Sequence, residues 1–160
     1  MVEDMSIMSQ LTINRIKIIT MYIMSIFYVS VGVNHFVEPD WFTQIVPPYL
    51  APYDLALVYL SGVFEILFGI LLIFKKTRFF GAWGVFILLI CVFPANIYLY
   101  NSEAAQIALD ISKSQALMRL PFQIPLLILA YWHSNEKSSK NFSTFCIIIF
   151  IPTIIYFSTL

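Results

Sequence analysis

Charge is what this sequence has least of. Charged residues make up 11% of it against 60% apolar, and the mean hydropathy is +0.84. A soluble domain carries roughly twice that charged fraction, so the composition is that of an integral membrane protein. Nine basic and nine acidic residues leave no net charge, which argues against a nucleic-acid partner. Cysteine is also scarce. Cys91 and Cys146 sit in separate apolar runs without CxxC spacing, so neither a disulfide framework nor a thiol redox pair is expected, and both read as packing residues. The two histidines, His35 and His133, are expected near opposite membrane surfaces, which leaves no dedicated metal cage. No haem, flavin or iron–sulfur ligation pattern appears, and the chain is not expected to be an enzyme on its own.

What the sequence has instead is long apolar runs. They cover Ile18–Phe36, Leu55–Phe74, Phe79–Tyr100, Ala116–Trp132 and Phe142–Leu160. About 20 residues at ~1.5 Å each cross a ~30 Å hydrocarbon core, so four spans and a last stretch just long enough are expected. The first run follows Arg15 and Lys17 as a signal peptide would. It is long for a signal core and lacks an A-x-A site, so it reads as a retained span. Residues 1–14 read as a loosely ordered polar tail, 15–141 as a four-helix transmembrane domain, and 142–160 as an added C-terminal segment. The fold class expected is thus an all-α membrane protein.

Between the first two runs, Pro39 suits a first helical position and Pro47-Pro48 stops what begins there. Trp41, Phe42, Ile45 and Val46 fall on one face between them, as in a short helix lying flat in the interface. Trp41 and Tyr49 fit an aromatic belt. This segment is expected to form a lid over one end of the bundle, and residues 101–114 a second surface segment. Pro94 is expected to kink the third helix and free a carbonyl about a turn earlier.

The basic residues give an orientation. With the N-terminus inside, Arg15, Lys17, Lys75, Lys76, Arg78, Lys137 and Lys140 are cytoplasmic, and only Lys113 and Arg119 lie opposite. The positive-inside rule then places the chain N-in, in a bacterial cytoplasmic membrane with the lid outside.

Within that frame the second run is central, because its only ionisable side chain is Glu65. A carboxylate at mid-span is costly and is usually turned toward protein or a wet cavity. Gly62, Glu65 and Gly69 stand at i, i+3 and i+7, so the acid shares a face with small residues that let helices approach closely. Asn34, His35, Asn96, Arg119 and Gln123 fall in the same outer half of the membrane, while the inner halves carry almost no polar groups. Glu65 and Arg119 are expected to couple electrostatically, directly or through Asn96, Gln123 or water. Two readings stay open: these groups satisfy one another and fix the packing, or they line a small-molecule pocket under the lid.

Several strings here look like those of DoxX-type small membrane proteins. They are Val33-Asn34-His35-Phe36, Pro39-Asp40-Trp41-Phe42, Ile45-Val46-Pro47-Pro48-Tyr49-Leu50, Ser61-Gly62-Val63-Phe64-Glu65, Ala82-Trp83-Gly84, Val92-Phe93-Pro94-Ala95-Asn96-Ile97-Tyr98 and Arg119-Leu120-Pro121-Phe122-Gln123. The resemblance runs in order from about Val31 to Trp132. It implies a four-helix transmembrane bundle with an uncharacterised activity and, from the setting that named the family, a link to quinone oxidoreductases. The function expected is binding of a small amphipathic, quinone-like or lipid-like molecule in an outward-facing pocket. Its ligands would be Asn34, His35, Glu65, Asn96, Arg119 and Gln123. The alternatives are an accessory subunit beside a redox partner, and a structural or chaperone-like protein without a ligand. A homo-oligomer fits any of these, and quinone is the one cofactor the resemblance suggests.

Overall fold

A computed structural model describes the backbone of residues 2–158 and the side chains of residues 10–158. The chain is 87% helical, and no strand occurs among the described residues. Seven helices follow in order: α1 (Val2–Val37), α2 (Pro39–Thr43), α3 (Asp54–Ile73), α4 (Arg78–Asn101), α5 (Glu103–Ala108), α6 (Lys113–Ser134) and α7 (Lys140–Ser158). A 3-10 turn, Pro48–Tyr53, leads into α3. At ~1.5 Å per residue α1 is ~54 Å long. Its helix already includes residues 2–14, which the sequence suggests as a loose tail.

Four helices are long and apolar enough to cross a membrane: α1 from Gln10, α3 with its 3-10 turn, α4 and α7. That set differs from the expected one. The fourth expected span, α6, is too polar by composition to belong to it, while the C-terminal stretch qualifies as expected. The reason lies in what covers each helix. α6 carries Arg119, Gln123, His133 and Ser134 on a buried face, so these groups meet protein and not lipid.

The long helices form a ring in which each packs on the next. α1 lies along α3, α3 along α4, α4 along α6, α6 along α7, and α7 returns to α1. The C-terminal segment is thus a fifth stave and no appendage: Cys146 and Phe150 of α7 join Met24, Tyr28, Leu129 and Trp132 in the main core. Cys146 is a packing residue as expected, but Cys91 is exposed on α4. Glycine sets the close approach of α1 to α3. A Cβ on Gly62 would stand 2.8 Å from the Gly32 carbonyl oxygen, and one on Gly32 would stand 2.8 Å from that of Gly62. Only hydrogen at both positions lets α1 and α3 approach this closely, one turn from Glu65.

One end of the ring is capped. Pro39 opens α2 at its first turn, and Pro48 opens the 3-10 turn. The α2 helix stops at Thr43, so Ile45 and Val46 lie in the turn that follows instead of on its face. On the same end α5 follows α4, where Gln106 Nε2 donates to the Leu99 and Tyr100 carbonyls at 2.8 and 2.9 Å. A Ser112–Gln115 capping box then starts α6.

Candidate functional site

Glu65 lies on the buried stripe of α3, with Val58, Gly62, Gly69 and Leu72. The Gly32–Gly62 contact aims this stripe at α1, and His35, one turn past Gly32, meets the acid. His35 Nδ1 is 3.3 Å from Glu65 Oε2. It is closer, at 2.9 Å, to the carbonyl of Val31. A carbonyl only accepts, so this contact places the hydrogen on Nδ1 and spends it within α1. His35 therefore keeps the helix-end bond, and Glu65 Oε2 stays without a hydrogen-bond partner.

Across the cavity, Asn96 and Gln123 pair. Asn96 Nδ2 donates to Gln123 Oε1 at 2.9 Å, and Gln123 Nε2 donates to the Leu89 carbonyl. Pro94 lacks the N–H that would serve the Ile90 carbonyl, and it lies within α4. The carbonyl that Gln123 serves is the neighbour of Ile90, so the glutamine reaches the backbone where the proline interrupts it. These two amides bond to each other and to the backbone.

Arg119 is 7% exposed and lies one turn before Gln123 on α6. Its guanidinium carbon sits 5.5 Å from the centre of the Trp41 ring, a cation–π contact with the lid. Phe42 stacks on His35 with ring centres 3.7 Å apart. The lid thus places one aromatic ring on each of the two cationic-type residues beneath it. Of the direct and bridged couplings expected for Glu65 and Arg119, the direct ion pair does not occur among the described residues: the acid faces His35, and the guanidinium faces the lid.

A cavity of about 770 Å³ lies between these groups, and all six candidates, Asn34, His35, Glu65, Asn96, Arg119 and Gln123, line it. That volume falls in the ~300–1,000 Å³ range of small-molecule sites. Asn34 is exposed and Asn96 half-buried; the other four are buried. Trp41, Phe42, Ile45 and Val46 also line it, so the lid roofs the cavity although only two of these residues are helical. A second hollow, between α2 and Ala108–Leu109, is shallow and has no buried polar group.

Four buried side-chain atoms have no hydrogen-bond partner among the described residues: Tyr28 Oη, Ser61 Oγ, Glu65 Oε2 and Arg119 Nε. A few per hundred residues is ordinary. Their placement is not, since all four residues line this one cavity. Tyr28 and Ser61 are absent from the sequence-based set. A signal existed for Tyr28, which precedes Gly32 and His35 at i+4 and i+7 spacing, on the face that meets α3.

The opposite end of the ring is polar too, against expectation. Thr20 Oγ1 and His133 Nε2 are 3.0 Å apart, and Trp132 Nε1 donates to Ser143 Oγ at 3.2 Å. Lys17 Nζ donates to the Asn135 carbonyl and sits 5.2 Å from the centre of the Trp132 ring. These groups are mutually satisfied. The six candidates and this cluster share a polar chemistry, but only the lid end leaves part of it unspent. No group of three or more His, Cys, Asp or Glu able to hold a metal occurs among the described residues.

The family model described as a domain of unknown function, DUF8561, matches residues 24–134, from the middle of α1 to the end of α6. No curated protein and no solved structure matches the chain.

Proposed function

The chain belongs to the DUF8561 family, whose description carries no activity, and we propose a function from the site itself: a multi-pass membrane protein that holds a small amphipathic molecule in the lid-end cavity. The observation that carries this reading is the gathering of Tyr28 Oη, Ser61 Oγ, Glu65 Oε2 and Arg119 Nε, all unpartnered, around one cavity. Leaving a buried polar group unmade costs roughly 1–3 kcal/mol, and more for a charged one. A polar head that bonds to several of them recovers that cost on binding. The surrounding walls are apolar, from Phe64 and Phe68 on α3 to Leu88 and Val92 on α4, and suit the rest of an amphiphile.

In this reading α6 crosses the membrane as well. It connects the lid end of α4 to the far end of α7, and both of those are long and apolar enough to span. Its polar face is sheltered by α4 and α7. The seven basic residues of the opposite end support a reading with that end in the cytoplasm and the lid outside, in a bacterial inner membrane. The DoxX-type motifs supply much of the cavity wall, and a quinone is one amphiphile of suitable form.

Native mass spectrometry of the protein in mild detergent, followed by solvent extraction, tests the proposal. A stoichiometric bound lipid or quinone is expected on the unaltered protein and is lost in Glu65→Gln and Arg119→Gln. Identical, ligand-free spectra for all three would overturn it.

A further inference from the structure

The lid-end cavity is not closed on every side. Toward α3 and α4 its wall consists of two facing stripes. Leu57, Leu60, Phe64 and Phe68 recur at three- and four-residue spacing on α3, and Gly84, Leu88, Cys91 and Ala95 do so on α4. Three of the side chains lining this wall are also well exposed: Leu60 is 51% exposed, Ile87 56%, and Cys91 is exposed. A cavity lined by residues that also face outward reaches the surface between these two helices.

The groove has a floor and a roof. Its floor is Phe68 seated on Gly84, where an added Cβ would stand 2.3 Å from the ring, and Phe64 stacks on Phe68 at 5.4 Å. Below that point α3 and α4 close on each other, since a Cβ on Gly81 would meet the Leu72 backbone nitrogen at 2.7 Å. The roof is the lid, whose Pro47 and Leu50 line the same cavity. No charged side chain stands on either stripe.

We propose that the α3–α4 groove is a lateral doorway for a single-chain amphiphile with a neutral, hydroxyl-bearing head, which enters from the lipid phase and leaves its apolar chain along the two stripes. The inference rests on the pocket reading above and names its ligand class and route. The head is chosen by charge. Glu65 and Arg119 are not paired with each other, and the cavity wall offers one unpartnered acceptor of carboxylate type and one donor of guanidinium type. A hydroxyl donates to the first and accepts from the second, whereas an anionic head confronts the acid and a cationic head the guanidinium. Tyr28 and Ser61 add hydroxyls that serve either role. The tail is chosen by continuity, because these groups and the two apolar stripes line one and the same cavity.

The test uses a monoacylglycerol with a photoreactive diazirine in mid-chain, added to the full-length protein in lipid nanodiscs. Adducts are mapped by peptide mass spectrometry with and without excess monooleoylglycerol. Competable adducts are expected on the α3 and α4 stripes. They should be lost in Leu60→Trp and Cys91→Trp, which fill the rim from exposed positions. They should persist in Ile90→Trp, a matched control that is 53% exposed and outside the cavity wall. Size-exclusion profiles of the three variants confirm that each is folded. Competable adducts that vanish in Glu65→Gln but map to α2 or α5, and survive Cys91→Trp, would overturn the doorway and leave the pocket standing. Adducts that no competitor reduces would overturn both.

Discussion

Glu65 Oε2 and His35 Nδ1 lie 3.3 Å apart, yet the hydrogen on that nitrogen is directed at the Val31 carbonyl. The acid therefore has a close neighbour without a full hydrogen bond. Its position is fixed by packing, since the Gly32–Gly62 contact sets the spacing of α1 and α3 at this level. Arg119, the other buried charge at this end, is held by Trp41 of the lid. The two charges thus belong to different local networks on either side of one cavity.

Double-mutant cycles read this arrangement directly. Glu65→Gln and His35→Ala are neighbours, and their effects on thermal stability in detergent are expected to depart from additivity by roughly 0.5–3 kcal/mol. In protein stripped of bound amphiphile, Glu65→Gln and Arg119→Gln share no partner, and their effects should add within about 0.5 kcal/mol. A large coupling in the second cycle would show that the charges sense each other across the cavity.

Gly62→Ala is expected to be among the most damaging single-methyl changes in the chain. The added carbon would stand 2.7 Å from His35 Cβ and 2.8 Å from the Gly32 carbonyl oxygen, and backbone yields less easily than a flexible side chain. Overpacking of this kind costs roughly 1–3 kcal/mol, and here the relief would move α1 away from α3 and His35 away from Glu65. A lower melting temperature together with loss of bound amphiphile is expected. Val63→Ala, on the exposed side of α3, should change neither.

Much of this cavity's polar lining is legible in the sequence, and the reason is chemical. A single acid in a 20-residue apolar run is improbable unless something meets it, and its spacing from Gly62 and Gly69 identifies the face that does so. The same reasoning brought Asn34, His35, Asn96, Arg119 and Gln123 to one level, and all line one cavity. It failed where pattern is ambiguous. Tyr28 and Ser61 look like ordinary span residues, because a hydroxyl costs little in composition. The cluster of Lys17, Thr20, His133 and Ser143 is scattered over three helices, so no local string announces it. The packing partners of α7 are hidden in the sequence for a related reason. An apolar run reports that it will be buried or bathed in lipid, not which neighbours it will have.

The proposed topology rests on the basic residues and on the five-stave ring. A cysteine at Gln44, which is exposed beside the lid, should react in intact spheroplasts with a membrane-impermeant thiol reagent, in a Cys91→Ser background. A reporter fused after the last residue should be active only on the same, outer side, because five crossings bring the C-terminus there. Labelling only after lysis would reverse the orientation. A cytoplasmically active reporter combined with outside labelling would show that α7 does not cross.

The α7 helix offers the sharpest test of the ring, because the family match ends at residue 134 while the core does not. Trp132 is fully buried at the end of α6, and its indole N–H donates to Ser143 Oγ on α7 at 3.2 Å. Ser143 is itself buried, so water is a poor substitute. Ser143→Ala adds no bulk but leaves the indole N–H unmet, which is expected to cost roughly 1–3 kcal/mol. Replacing both partners removes the orphaned donor, so Trp132→Phe with Ser143→Ala should lose less than the sum of the single changes. Deleting residues 140–160 exposes Leu129, Ala130 and Trp132 together, and it should prevent recovery of a monodisperse protein in detergent. A truncated protein that keeps the melting temperature of the full chain would mean that α1, α3, α4 and α6 close on themselves without α7. In that case the Trp132–Ser143 bond would be a surface contact between a complete bundle and an added helix.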